Sequence, residues 1–295
     1  MKQILQNLGT GETSIVECPA PELKANSLKI ATSASLISSG TERMLVDFGA
    51  SSLIDKARKQ PDKVKQVISK IQTDGLYSTF EAISSKMSQP IPLGYSNVGV
   101  VQEVSQSIEG FQPGDRVVSN GAHADVVVVK ENLCALVPPS VTDEQAAFTV
   151  VGSIALQGVR LAKPTLGEAF VVIGAGLIGL LTIQLLKANG CRVMAIDFDP
   201  EKLELARKFG AIAIDASKEA NTLAFAEEFS RGRGIDGVII TASTDSNEPI
   251  KTAANMCRKR ARIILVGLAG LDIDREDFYE KEITFQVSCS YGPGR

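Results

Sequence analysis

The rhythm of hydrophobic and polar positions changes near residue 145. Before that point, short alternating or apolar runs at 28–34, 98–104, 116–119 and 125–129 are separated by turn signals such as Pro113-Gly114-Asp115 and Asn120-Gly121. Runs of this length between turn residues predict strands, and their spacing predicts a small barrel or sandwich. A different pattern interrupts them over about 47–90. There Val64, Val67, Ile68 and Ile71 share one helical face, and Lys56, Arg58, Lys59, Lys63, Lys65 and Lys70 lie mostly off it. This predicts an inserted helical excursion, read either as a solvated amphipathic cover or as a basic lid over an anionic substrate. Beyond 145 the pattern alternates: helix 143–161, strand 170–173, helix 177–189, strand 192–197, helix 199–209, strand 211–215, helix 222–230, strand 237–242, helix 249–258, and strands 262–266 and 283–288. Alternation of this kind predicts a parallel sheet covered on both faces. Asp199, Pro200 and Gly210 punctuate one of these helices as N-cap, first residue and stop. The 18 residues 169–186 carry no charge and approach the length of a membrane span. Glycines at 174, 176 and 179 divide them into a β-branched run and a helix-forming run, as a buried strand turning into a buried helix requires.

Composition narrows the picture. A chain of 295 residues predicts two domains, here 1–145 and 146–295. With 31 basic and 34 acidic side chains the formal charge is -3, so no global field gathers nucleic acid or an anionic membrane, and neither is expected as a partner. The five cysteines lie at least 32 residues apart and His123 is the single histidine, which argues against a disulfide framework and an ordinary structural zinc site. No apolar leader opens the chain, so a reducing, cytoplasmic location is expected.

The sharpest motif is Gly174-Ala175-Gly176-Leu177-Ile178-Gly179, a GxGxxG between the run 170–173 and the helix that follows. Asp197 closes the next strand 23 residues after Gly174, near the spacing of about 20 for an acid that binds a ribose. Gly174 permits the turn, Gly176 admits a pyrophosphate and Gly179 lets helix and strand pack, while the amides of Leu177 and Ile178 at the helix start face the phosphates. A carboxylate at 197 favours NAD over NADP, whose extra phosphate it would repel. Val266-Gly267-Leu268 is where such a fold passes its backbone by the nicotinamide ring.

These motifs together resemble a medium-chain dehydrogenase/reductase of the alcohol dehydrogenase superfamily. Gly114-Asp115-Arg116-Val117-Val118 and Ala124-Asp125-Val126-Val127-Val128 resemble its GroES-like catalytic domain; VVIGAGLIG, AIDFDPEKLELARKFGA and RIILVG resemble its Rossmann cofactor domain. The implied fold class is α/β, a β-rich GroES-like domain followed by a doubly wound parallel-sheet domain. SSGTE (38–42), PLGYSNVGVV (92–101) and VSCSYGPGR (287–295) are similar to a zinc-free branch that includes bacteriochlorophyllide dehydrogenase-like proteins and bacterial bi-domain oxidoreductases. Where zinc-dependent relatives place their catalytic ligands, this chain has Ser39, Tyr95 and the stretch Val151-Gly152-Ser153, and the four-cysteine lobe is missing. The resemblance therefore implies NAD without zinc. It also implies a return segment after 283–288 that the sequence does not reach, and a substrate that is an alcohol or ketone, sugar-derived if the bi-domain likeness holds.

Oxidising an alcohol without a metal requires a side chain to take the hydroxyl proton. Tyr95, at the missing histidine position, His123 and Glu42 are the candidates, with Ser39 and Thr41 as relays. Each also has a structural reading: a bonded core tyrosine, a surface-turn histidine, a carboxylate bonded to backbone. The alternative to an enzyme is a non-catalytic dinucleotide-binding module or a partner domain of a larger protein. A homodimer through the Rossmann domain is compatible with either.

Overall fold

The computed structural model describes residues 1–50, 89–218 and 221–294. Two compact units share the chain, Met1–Thr149 and Val150–Arg295. Most of the expected helical excursion, residues 51–88, lies outside the described residues.

The first unit holds β1 (Lys2–Gln6), β2 (Thr13–Glu17), β3 (Ser27–Ser35), α1 (Ser39–Ala50), β4 (Ile91–Pro92), β5 (Asn97–Val104), β6 (Arg116–Ser119), β7 (Val126–Lys130), β8 (Cys134–Leu136) and α2 (Asp143–Ala146). Its strands pair antiparallel in two sheets, ordered β2-β1-β4 and β7-β3-β5-β6-β8. Alternation explains the core: Leu28 and Ile30 on β3, and Val127 and Val129 on β7, are two residues apart, so they share a face with Val101 and Val117. Helix α1 begins at Ser39, earlier than the expected start near 47, and its first turn carries Glu42.

The second unit continues with α3 (Thr149–Ala162), β9 (Ala169–Ile173), α4 (Leu177–Ala188), β10 (Arg192–Asp197), α5 (Pro200–Lys208), β11 (Ile212–Asp215), α6 (Thr222–Ser230), β12 (Ile235–Ile240), α7 (Glu248–Met256), β13 (Cys257–Leu265), α8 (Arg275–Tyr279) and β14 (Thr284–Val287). Six parallel strands lie in the order β11-β10-β9-β12-β13-β14, in chain terms 3-2-1-4-5-6, the doubly wound order. Strands with helices on both sides must be apolar on both faces. Accordingly Val171 and Ile173 enter one buried cluster with Ile250 and Ala253 of α7, while Phe170 and Val172 enter another with Ile183 and Leu186 of α4. Among the described residues no helix is long and apolar enough to cross a membrane. The uncharged stretch at 169–186 is instead β9, a glycine turn and most of α4.

Further boundaries in the second half of the chain differ from the sequence expectation. The helix expected over 143–161 is two helices, α2, which a reciprocal capping box between Thr142 and Gln145 opens, and α3, which starts at Thr149. Strand β12 spans Ile235–Ile240, two residues earlier than expected. Helix α7 stops at Met256, where Cys257 turns extended and β13 starts at once with charged Arg258, Lys259 and Arg260.

Candidate active site

The glycine turn sits where the strand order reverses. β9 has β10 on one side and β12 on the other, so chain leaving its end opens a crevice between diverging crossovers. Gly174 has φ +97°, and a Cβ there would lie 2.6 Å from the Ala242 nitrogen. Gly179 lies against the turn itself: an added Cβ would stand 2.8 Å from Thr241 Oγ1 and would overlap the Gly174 carbonyl oxygen. Thr241, at the end of β12, donates its hydroxyl to that same carbonyl at 2.6 Å, bracing the turn. Nothing in the sequence pattern singled out Thr241. Gly176 differs from its neighbours, since a Cβ there would meet nothing within 4 Å. It is the N-cap of α4 and offers no capping side chain, so the first-turn amides, Leu177, Ile178 and Gly179 among them, have no carbonyl a turn behind them. Open space beside unpartnered amides at the positive end of a helix fits a phosphate.

Asp197 ends β10 beside this turn. Its carboxylate accepts the Ala175 amide at 2.6 Å, the Phe198 amide at 2.7 Å and the Asp199 amide at 2.9 Å. A carboxylate has about four lone-pair sites, so room for a ribose hydroxyl remains. In register beside it on β11 lies Asp215. The cations of this region are engaged: Lys202 Nζ is 3.2 Å from Asp199 and Lys218 Nζ is 3.1 Å from Asp215. The Ser217 hydroxyl and Lys218 hold the Asp215 carboxyl below the usual carboxylate range. The end of the β10–β11 pair thus carries Asp197, Asp199 and Asp215, with Lys202 and Lys218 each beside a carboxylate. Gly267 follows β13 closely packed, where a Cβ would overlap the Ala242 carbonyl oxygen, and Leu268 is more than half exposed. The residues present fit the pyrophosphate and a ribose of a dinucleotide: an open glycine turn with unpartnered α4 amides, and Asp197 with lone pairs to spare.

The first unit gathers the other candidates, drawn from four places in the sequence. Ser38 precedes α1; Tyr95 and Gly94 precede β5; His123 lies between β6 and β7; Ser35 ends β3. The Tyr95 hydroxyl donates to Ser38 Oγ at 2.7 Å, with Thr41 Oγ1 farther off at 3.4 Å. His123 Nε2 lies 3.0 Å from Glu42 Oε2, and its Nδ1 lies 2.8 Å from Ser35 Oγ. The second Glu42 oxygen accepts the Ser38 amide at 2.8 Å. Glu42 and His123 are each only 6% exposed, whereas Thr41 is exposed and Tyr95 half-buried. His123 is therefore not on a surface turn, and Glu42 bonds both backbone and imidazole. Ser38 and Ser35, which the sequence did not single out, are the hydroxyls in contact; Ser39 is exposed and, among the described residues, makes no such bond.

This set does not fit a catalytic zinc. Such a site takes three protein ligands. His123 has both ring nitrogens engaged, Glu42 has both oxygens engaged, and among the described residues no three His, Cys, Asp or Glu side chains converge as a metal-binding group.

Comparison with known proteins agrees with this architecture. A family profile described as "Alcohol dehydrogenase GroES-like domain" matches residues 65–155, and one described as "Zinc-binding dehydrogenase" matches 178–295. The (R,R)-butanediol dehydrogenase of Bacillus subtilis (strain 168) is 31% identical over 175 aligned residues, covering 50% of this chain and 50% of that protein. The match thus spans half the length of that curated relative. The crystal structure of 2R,3R-butanediol dehydrogenase from Bacillus subtilis superposes with a TM-score of 0.77 at 22% identity, covering 98% of this chain and 84% of that one. A "short chain alcohol dehydrogenase" from E. coli CFT073, solved with NADH, gives a TM-score of 0.76 at 21% identity, covering 98% and 83%. With both domain profiles in order along the chain, a GroES-like unit followed by a Rossmann sheet, and neighbours of the same build, the chain belongs to the medium-chain dehydrogenase/reductase superfamily.

Proposed function

We propose that this protein is an NAD-dependent oxidoreductase that interconverts an alcohol and a ketone without catalytic zinc. The observation that carries the reading is the Tyr95–Ser38 hydroxyl pair, with exposed Thr41 beside it, at the position where zinc-dependent members of the resembled family place metal ligands. NAD, when bound, takes up the hydride. The chain's own task is the proton: the substrate hydroxyl gives its proton to the Tyr95 oxygen as the Tyr95 proton passes to the exposed Thr41 hydroxyl, 3.4 Å away, and on to solvent, while Ser38 Oγ, 2.7 Å away, holds the Tyr95 hydroxyl in place. A positioned group of this kind contributes typically 10²–10⁴-fold to rate. Matched structures include complexes with NADH and with NADPH, so the preference for NAD rests on Asp197 and the neutralised lysines around it. The substrates that give similar proteins their names, a butanediol and galactitol 1-phosphate, support a small hydroxylated substrate.

The test is turnover by chelator-treated protein whose zinc content has been measured, with NAD and a panel of secondary alcohols and polyols, and with NADH and the matching ketones. Activity that persists without zinc, and falls at least a hundredfold in Tyr95→Phe with NAD binding retained, is expected. Activity that disappears on chelation and returns with zinc would overturn the reading. Tight NAD binding with no turnover on any of the panel would favour a binding module.

A further inference from the structure

His123 touches both sides of the Tyr95–Ser38 hydrogen bond without touching either hydroxyl. On the tyrosine side, its backbone amide donates to the Leu93 carbonyl at 2.8 Å, two residues before Tyr95, and its carbonyl accepts the Ile4 amide of β1 at 3.0 Å. Between Leu93 and Tyr95 stands Gly94, with φ +91°, packed so closely on the ring that an added Cβ would lie 2.6–2.8 Å from three imidazole atoms. On the serine side, the imidazole meets Glu42 Oε2 and the other Glu42 oxygen holds the Ser38 amide. The Glu42 amide in turn donates to the Ser38 carbonyl at 2.9 Å, so residue 38 is gripped at both backbone groups. Ser35 closes the far end, 2.8 Å from Nδ1.

Burial decides what this pair can do. Side chains of Glu42 and His123 that are 8% and 6% exposed have no face left for a substrate. Both bonds between Glu42 and Ser38 run through Ser38 backbone groups, which do not relay protons to the hydroxyl. In the neutral ring the Nε2 proton bonds the carboxylate and Nδ1 accepts the Ser35 hydroxyl, leaving every polar atom of the pair satisfied. The sequence Ser35, His123, Glu42 shares the composition of a hydrolytic triad, but there the serine faces Nε2 and the carboxylate Nδ1, the reverse of this order.

We propose that Glu42 and His123 are positioning residues that set the Tyr95–Ser38 hydrogen bond, with Ser35 fixing the ring and Ser38 holding the Tyr95 hydroxyl in place. This rests on the reading of Tyr95 as the proton carrier, but half of its test needs no turnover. His123 is the single histidine and the protein has four tyrosines, so 15N-labelled histidine gives one ring and 13Cζ-labelled tyrosine gives four resonances, with Tyr95 assigned by Tyr95→Phe. In the parent the ring is expected in the Nε2–H form. In Glu42→Gln it is expected to switch to Nδ1–H, because the carboxamide that replaces the carboxylate then donates to Nε2. His123→Ala is expected to move the Tyr95 Cζ resonance toward its place in Ser38→Ala. An unmoved Tyr95 resonance in His123→Ala, with the fold intact by circular dichroism, would overturn the proposal whether or not the protein turns over. In the kinetic half, loss of alignment by about 1 Å costs on the order of 100-fold, so His123→Ala should lower kcat by roughly 10–100-fold without changing KM for NAD. His123→Gln, which keeps an N–H for Glu42, should recover most of that loss, and the pH profile should keep the parent's limbs. A limb that vanishes in His123→Gln would make His123 the proton carrier and sink the positioning role.

Discussion

Gly176 and Gly179 lie three residues apart in one motif, yet the structure gives them opposite consequences on substitution. At Gly176 an added methyl meets nothing within 4 Å and φ is an ordinary -70°. Gly176→Ala should fold with a loss of about 0.5–1 kcal/mol, the difference between Gly and Ala at an N-cap. The space it fills is the open approach to the α4 amides, where a pyrophosphate would have to sit. Forcing a methyl into a close contact costs about 1–3 kcal/mol, which converts to a roughly 5- to 150-fold weaker Kd for the dinucleotide. At Gly179 the methyl overlaps the Gly174 carbonyl oxygen and comes within 2.8 Å of Thr241 Oγ1, and Gly174 itself abuts Ala242. None of those atoms is the far end of a flexible side chain, so Gly179→Ala should lose about 1–3 kcal/mol of stability before any ligand is considered. Urea unfolding and NADH fluorescence titration on both variants separate the two effects. Parent-like NADH affinity in a folded Gly176→Ala would refute the assignment of the phosphates to this turn, and a parent-like urea midpoint for Gly179→Ala would refute the packing argument.

Gly94→Ala combines a positive φ with a methyl against the His123 ring, and should cost about 2–5 kcal/mol by urea unfolding; a loss under about 0.5 kcal/mol would contradict the packing of Gly94 on His123. Asp143 is held below the usual carboxylate range by the Ser33 hydroxyl at 2.6 Å and by Arg116, whose Nε is 3.0 Å away. A depressed folded value means stability that is present above the unfolded pKa of about 3.9 and lost as pH falls through the lower folded value. Asp143→Asn should therefore flatten the acid limb of the stability curve below about pH 4, and an unchanged limb would show that Asp143 contributes nothing to it. Burial pushes the Cys257 thiol up to about 12, so at pH 8 only about 10⁻⁴ of it is thiolate and it should resist Ellman's reagent until denaturant is added. Labelling of native Cys257 at the rate of a free thiol would contradict its burial.

The strand, glycine turn and helix of the second unit were readable because their information is local. A β-branched run, three glycines and an acid at the next strand's end lie close together in the sequence, and each has a backbone reason to be what it is. The inner strands β9, β10 and β12 were readable for a related reason: strands apolar on both faces cannot be mistaken for half-buried ones. The cluster of the first unit was legible only as a set of residue types. Tyr95 and Ser38 are 57 residues apart and His123 and Glu42 are 81 apart, and no periodicity reports which of several neighbouring hydroxyls a tyrosine reaches. Ser39 and Ser38 are equivalent in sequence; the direction of α1, which buries Ser38 and exposes Ser39, tells them apart. Strands β1 and β2 escaped notice because their polar residues pass for loop, and they are held by pairing with each other and with β4. The early stop of α7 was hidden for the opposite reason, since Arg258, Lys259 and Arg260 suit a helix end, yet Arg258 is drawn into β13 by a 2.6 Å bond to Asp236.

The central claim is a nicotinamide site that prefers NAD because Asp197 meets the ribose with its neighbouring lysines already paired. Calorimetric titration of the parent and of Asp197→Asn with NADH and NADPH tests it most directly. Hydrogen bonds to a charged group contribute about 1.5–3 kcal/mol, so the parent should bind NADH at least tenfold more tightly than NADPH, and the variant should lose most of that margin. Equal or tighter binding of NADPH by the parent, or a margin unchanged in Asp197→Asn, would contradict the account.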